Sequence, residues 1–304
     1  MVAIKTYKVA EHLFQIGMDA DSGIWEKMDE SYGPFDVSDH IGSADYSKSY
    51  LFRLMVCEAV ELENMALLYS NKDTVELGFP AMEVYKGEDG FCIELTLYGS
   101  EKVNVRLAVG KDFKEAKMTL AGNMNQKWYA FNLGVNFCFM VASAPYDTVL
   151  AHASCVSYKG KAWLFLGKSG TGKSTHSRMW LSALEGVVLM NDDHPVLRIN
   201  DSRQVIAYGS PWSGKTRCYK NVEAPVGGII RISRAPYNRA RRLSVIESYA
   251  SLMTSFSSMT WEKELADGRD RTIQGIISTV SCWVMECLPD ADAALVCSQT
   301  VTEA

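Results

Sequence analysis

Gly167-Lys168-Ser169-Gly170-Thr171-Gly172-Lys173-Ser174 fits G-x-x-x-x-G-K-[ST], and each residue type in it meets a need of phosphate binding. Glycines let the backbone curl so that successive N–H groups point at phosphate oxygens. A helix opening at the end of the loop adds the positive end of its dipole. The Lys173 ammonium neutralises phosphate charge and the Ser174 hydroxyl can ligate Mg²⁺. Context supports the pattern: the apolar strand Ala162–Leu166 precedes the loop, and a helix over Lys173–Leu184 follows it. The expected phosphate contacts are Gly167, Ser169, Gly170, Thr171, Gly172, Lys173, Ser174 and Thr175. The expected ligand is ATP or another nucleoside triphosphate with Mg²⁺.

A second group of chemistry-bearing residues lies a short way downstream. The strand Val187–Met190 runs into Asn191-Asp192-Asp193-His194. In a parallel α/β sheet the end of the next strand is expected beside the phosphate loop, at the edge where ligands bind. Two adjacent carboxylates there suit two tasks, holding Mg²⁺ and taking a proton from an attacking hydroxyl. An Asp-rich turn is the plainer alternative.

Gly209-Ser210-Pro211-Trp212-Ser213-Gly214-Lys215-Thr216 satisfies the same loop pattern. Pro211 lacks an N–H, Trp212 is bulky where backbone must approach an anion, and no amphipathic helix continues from Thr216. It reads as a false phosphate loop, with Ser213, Gly214 and Lys215 as candidate contacts to a phosphate or the phosphoryl acceptor. Arg231, Arg234, Arg239, Arg241 and Arg242 read as a solvated basic face, and His176 as a surface or capping residue.

These groups need a scaffold. The first half alternates in strand fashion over Lys5–Gly17, Phe91–Tyr98 and Lys102–Val109, with a short apolar run at Leu51–Met55, and predicts an antiparallel sheet. Trp128 to about Met140 predicts a helix. Beyond it the strand–loop–helix–strand order, with further strands at Val196–Ile199, Val205–Tyr208, Gly228–Ile232 and Trp283–Glu286, predicts an α/β layer. Helices are expected over Ser244–Ser257, Asp270–Val280 and Asp290–Cys297. The fold class is α/β (α+β overall), with a strand-rich domain at 1–135 and a phosphate-loop domain at 136–304.

Composition narrows the classes. The 47% hydrophobic and 22% charged content is that of a globular chain, and the net charge of −5 argues against a nucleic-acid binder. The most membrane-like run, Trp128–Pro145, carries Asn132 and Asn136 and predicts a buried helix, so no membrane association is expected. The eight cysteines form no C-x-x-C pair, which fits reduced thiols and a cytoplasmic location.

His152 in Ala-His-Ala-Ser, the strand Ala162–Leu166, the loop Gly-Lys-Ser-Gly-Thr-Gly-Lys-Ser-Thr and Asp192-Asp193 together resemble the core of the bacterial HPr kinase/phosphorylase family, whose kinase fold is shared with phosphoenolpyruvate carboxykinase. The resemblance implies that His152 lies near the phosphate or acceptor site and that Lys173 and Ser174 hold phosphates and metal. It further implies that Asp192 is the acid/base and that Asp193 joins Ser174 at the metal. The family's glycine-rich stretch after the acidic strand is not recognisable, and the amino-terminal half is unlike that of the regulatory kinase. A diverged kinase acting on a serine of a peptide or protein, or on a small hydroxyl compound, is the reading that follows, with a homo-oligomer left open. Two alternatives stand beside it: a small-molecule kinase of the nucleoside-monophosphate or shikimate type, and a nucleotide-binding sensor without transfer.

Overall fold

The computed structural model describes residues 1–39, 50–62, 64–75, 79–259 and 261–303. The chain is mixed α/β and divides into two compact units, Met1–Ser143 and Ala144–Ala304. A boundary at 135/136 would cut a helix.

The first unit holds β1 (Val2–Val9), β2 (His12–Asp19), α1 (Ile24–Tyr32), β3 (Arg53–Val56), β4 (Ala66–Ser70), β5 (Ala81–Lys86), β6 (Gly90–Thr96), β7 (Val105–Gly110), β8 (Glu115–Leu120) and α2 (Met124–Ser143). Its sheet runs β1-β2-β3-β8-β7-β6-β5-β4. The alternating run Lys5–Gly17 is two strands, because Ala10 and Glu11 take φ of 48° and 66° and make a two-residue hairpin turn. The sheet is not purely antiparallel as the sequence predicts. Strand β3 runs parallel to both β2 and β8; it follows α1, not a tight turn, so no hairpin forces it to reverse. Helix α2 buries Phe131, Val135 and Phe139. Among the described residues no helix is long and apolar enough to cross a membrane.

The second unit holds β9 (Thr148–Leu150), β10 (Ala153–Tyr158), β11 (Lys161–Leu166), α3 (Lys173–Ala183), β12 (Val188–Asp193), β13 (Val196–Ile199), β14 (Val205–Tyr208), β15 (Glu223–Arg234), β16 (Arg239–Arg242), α4 (Val245–Met253), α5 (Lys263–Thr279), β17 (Cys282–Cys287) and α6 (Ala291–Thr302). Strands follow the order β12-β10-β11-β15, and the long β15 then pairs with β14 through its first residues and with β17 through its last.

Helices cover both faces of this sheet, so β11 reads as an unbroken apolar run. Leu164 and Leu166 face a core shared with Leu252 and Phe256 and with Ile273 and Ile276 of α5. Trp163 and Phe165 face the opposite core, closed by Trp180 of α3 and by Ala293, Ala294 and Cys297 of α6. The loop that leaves β11 therefore leaves the middle of a rigid layer. Burying β11 on two faces, at about 25 cal/mol per Å² of apolar surface, fixes where that loop starts.

Candidate active site

Sheet register assembles the site. Ala153 of β10 pairs with Leu166 of β11 on one side and with Asp193 of β12 on the other, and Leu166 pairs with Arg231 of β15. Neighbouring strands lie about 4.8 Å apart. The end of β11, the start of β10, the second acid and Arg231 thus stand in one row about 15 Å wide. The acidic strand is not the immediate neighbour of β11. Strands β10 and β11 form a tight hairpin through Lys159 (φ 50°) and Gly160 (φ 73°), so β10 takes the place beside β11 and β12 adds beyond it. His152, just ahead of β10, fills the gap between loop and acid.

The loop has the backbone that the pattern requires. Gly167 takes φ 156°, and a Cβ there would meet Thr171 Oγ1 at 2.4 Å. Gly172 takes φ 113° as the N-cap of α3, and no side chain caps that helix. Helices α4 and α6 are capped by their own side chains, α4 by a Ser244/Glu247 capping box and α6 by Asp290. The first-turn amides of α3, with Ser174 and Thr175 among them, are left for an anion.

Lys173, 8% exposed, turns its ammonium back over the loop. Its Nζ donates to Gly167 O at 3.0 Å and to His152 Nε2 at 3.0 Å. An ammonium only donates, so His152 Nε2 is an acceptor and the imidazole is neutral. The 3.4 Å approach of that same Nε2 to Asp193 Oδ1 is then a contact between two acceptors. Burial first, and then the Lys173 charge, hold the His152 pKa below its ordinary value against the pull of Asp193. Burial also lowers the Lys173 pKa, partly offset by Asp193 and Asp192, while Arg231 adds to the lowering.

Asp193 is held by its neighbours. Burial pushes its pKa up, but the hydrogen bond and charge of His194, with Nδ1 at 3.3 Å, and the charges of His152 and Lys173 prevail and keep it below the usual value. Its φ of 149° is rare for a residue with a side chain and costs about 1–3 kcal/mol. The fully buried Asn191 holds the turn: Oδ1 accepts from His194 N at 2.9 Å, and Nδ2 donates to Trp212 O at 3.1 Å and Ser210 Oγ at 3.2 Å.

The second G-x-x-x-x-G-K-T stretch forms no helix and braces the acids instead. Gly214 N donates to Asp192 O at 2.7 Å, and Ser213 Oγ lies 2.6 Å from Thr216 O and 3.1 Å from Asp192 O. A Cβ at Gly214 would sit 3.2 Å from Asp193 Cβ. Ser213 and Gly214 are brought to the acidic pair, whereas Lys215 is exposed and makes no ion pair among the described residues.

Asp192 differs from Asp193. It is 6% exposed, and among the described residues its carboxylate accepts no hydrogen bond and joins no ion pair. Its oxygens are not among the enclosed unpartnered atoms, so they reach the cleft and are open to a cation or to a hydroxyl brought by a ligand. Ser174 Oγ is likewise without a hydrogen bond to described residues. No group of three His, Cys, Asp or Glu side chains among the described residues could hold a metal alone. Mg²⁺ suits the site only in its usual manner, shared between phosphate oxygens, a hydroxyl and one or two carboxylates.

Two arginines of the basic cluster touch the site, Arg231 half-buried and Arg234 exposed as the sequence predicts. Arg231 Nε donates to Ser251 Oγ at 2.6 Å, and Nη2 donates to Ser251 O, Thr254 Oγ1 and Ser255 Oγ. It thereby gathers the acceptors at the end of α4, and Ser255 O in turn receives His152 N at 2.7 Å. Arg234 Nη2 donates to Gly170 O at the loop tip. The available signal was an arginine inside the apolar strand Gly228–Ile232, a rare place for one without a task. Arg239, Arg241 and Arg242 do lie on exposed β16, where Arg241 pairs with Glu247.

His176 is neither at the surface nor in a cap. It is 1% exposed beneath Phe165, and its Nε2 accepts from Trp180 Nε1 at 3.2 Å. Burial drives its pKa down to about 4. The folded value lies below the unfolded one, so stability is full above pH 6.5 and falls as pH drops through the window to about 4. The gap corresponds to about 3 kcal/mol. Urea unfolding of His176→Leu is expected to lose about that much less stability between pH 7 and 4 than the parent chain. Parallel pH profiles would remove this assignment.

No family model and no curated protein matches the chain. Among solved structures, the HPr(Ser) kinase/phosphatase from Coxiella burnetii is similar to it at 13% identity, over 51% of this chain and 88% of that one, with a TM-score of 0.31.

Proposed function

We propose that this protein transfers the terminal phosphoryl group of ATP to a hydroxyl, on a serine of a peptide or protein or on a small molecule. The observation that carries the reading is Asp192 on β12, whose carboxylate has no hydrogen-bond or ion-pair partner among the described residues and whose charge acts on Lys173 at the start of α3. Loop amides and the α3 N-terminus would bind the phosphates. Lys173 would leave Gly167 O for the β- and γ-oxygens. Mg²⁺, when bound, spreads the phosphate charge, with Ser174 Oγ and Asp193 as the protein's contributions. Asp192 would accept the proton as the acceptor oxygen bonds to the γ-phosphorus and the bond to ADP breaks. His152, neutral and bonded to Lys173, would keep the ammonium aligned between loop and acids.

Incubation with γ-labelled ATP, Mg²⁺ and fractionated cell extract is expected to label an acceptor through an acid-stable phosphoester. ATP binding with no labelled product in any fraction, or an acid-labile label on His152 alone, would reject hydroxyl transfer.

A further inference from the structure

Arg231 lies on β15 directly across from Leu166, the last strand residue before the phosphate loop. Its Nε and Nη2 are both committed to one target, the end of α4. They donate to Ser251 Oγ at 2.6 Å, to Ser251 O, to Thr254 Oγ1 at 2.9 Å and to Ser255 Oγ at 3.1 Å. Helix α4 has no basic residue in its own last turn, so this guanidinium supplies the cation that a helix C-terminus favours. Arg231 also borders a cavity of about 550 Å³ beside Lys168, Ser169, Gly170 and Thr171. Of its nitrogens, only Nη1 makes no hydrogen bond among the described residues.

The clamped segment runs on beside the residues that carry His152. Ser257 N donates to Leu150 O at 3.2 Å and His152 N to Ser255 O at 2.7 Å, while Phe256 bridges Ala151 in antiparallel fashion between them. His152 therefore takes its backbone position from residues that Arg231 holds. Its Nε2 in turn accepts from Lys173 Nζ at 3.0 Å. Contacts thus run from Arg231 through Ser255 and His152 to the ammonium of the phosphate loop.

We propose that Arg231 is a positioning residue for phosphoryl transfer: by clamping the end of α4 it holds His152 where that imidazole aligns the Lys173 ammonium, and it does not itself bind phosphate. This rests on the transfer reading above. A shift of about 1 Å in a catalytic group costs about 10²-fold in rate. Arg231→Met is therefore expected to lower kcat by about 10- to 100-fold. The ammonium itself remains, so the MgATP dissociation constant should stay within about threefold of the parent value. Arg231→Lys keeps the cation but not the two-nitrogen grip, and its kcat should fall between the two.

A double-mutant cycle with His152→Ala decides the route. His152→Ala should itself slow transfer, and adding Arg231→Met should then cost no more than about a further threefold, because the path it would break is already broken. Retained MgATP binding shows that each variant is folded, and Arg231→Lys carries the same cycle if Arg231→Met does not fold. Losses that multiply in full would overturn the inference, since Arg231 would then act by a route that bypasses His152. A loss of MgATP affinity above about tenfold in both Arg231 variants, with melting unchanged, would also overturn it, as the mark of a direct phosphate contact. An Arg231→Met chain that transfers as fast as the parent would do the same. A parent chain that binds MgATP and transfers to no acceptor would overturn the transfer reading and take this inference with it.

Discussion

Asp192→Asn is expected to lower phosphoryl transfer by about 10²–10⁴-fold, the usual share of a general base, while ATP binding stays nearly unchanged. The amide has the volume of the carboxylate and keeps an oxygen, but it cannot take a proton from an attacking hydroxyl at neutral pH. The surroundings make the exchange mild for the fold. Among the described residues the Asp192 side chain supports no hydrogen bond whose loss would disturb the strand, since Ser213 and Gly214 meet its backbone oxygen. Thermal stability should therefore hold. The same change at Asp193 would disturb more, because His194, His152 and Lys173 all face that carboxylate. The informative measurement is kcat beside the ATP dissociation constant for Asp192→Asn. A drop in both together would mean that Asp192 holds metal or nucleotide and is not the base, and full activity would remove it from the chemistry.

Local chemistry was legible in the sequence where it is written in local pattern. The run Ala162–Leu166, the glycines after it and the lysine that opens α3 state a strand, a curled loop and a helix in consecutive residues, and these three elements form there. Strands β13 and β14 occupy the residues expected of them. Strand β12 was expected to stop at Met190 but continues through Asp193, because Asp192 and Asp193 pair with Ser154 and Ala153, partners that local propensity cannot see. The order of strands was illegible for the same reason. Nothing in the residues of β12 says that the β10–β11 hairpin will occupy the place beside the loop.

Helix α3 misled in another way. Its buried stripe is Lys173, His176, Ser177 and Trp180, three polar side chains out of four, so an apolar-face criterion assigns His176 outward. The stripe is buried because Lys173 answers to the loop, Ser177 Oγ to Ser154 Oγ at 2.6 Å, and His176 to Trp180. Arg231 was misplaced because its partners, the acceptors at the end of α4, are remote in sequence.

Lys173→Met carries the other large expected effect, and it separates binding from folding. Removing a charge-assisted donor at a buried site costs about 1.5–3 kcal/mol, or about 10- to 100-fold in ATP affinity. The transferring phosphoryl group loses more, because charge grows on its oxygens as the bond to ADP breaks; about a further 10²–10³-fold in rate is expected, as for other preorganised donors. Stability should move the opposite way. The folded pKa of Lys173 lies below its ordinary 10.5, so the unfolded chain holds this proton more tightly than the native one. Below the folded value that difference counts fully against the native state, and it fades as pH rises towards 10.5. An apolar side chain of like length removes the penalty, so the apo variant should melt at the same temperature or higher at pH 7 and should lose part of the parent's gain in stability under alkaline conditions. His152, freed of the ammonium, should titrate closer to its ordinary value, since the Lys173 charge is one cause of its lowering. Calorimetry with and without MgATP reads both arms. A variant that melts well below the parent without ligand would make Lys173 a structural strut between Gly167 and His152. One that binds MgATP as the parent does would leave the loop without the cation on which phosphate chemistry at this site depends.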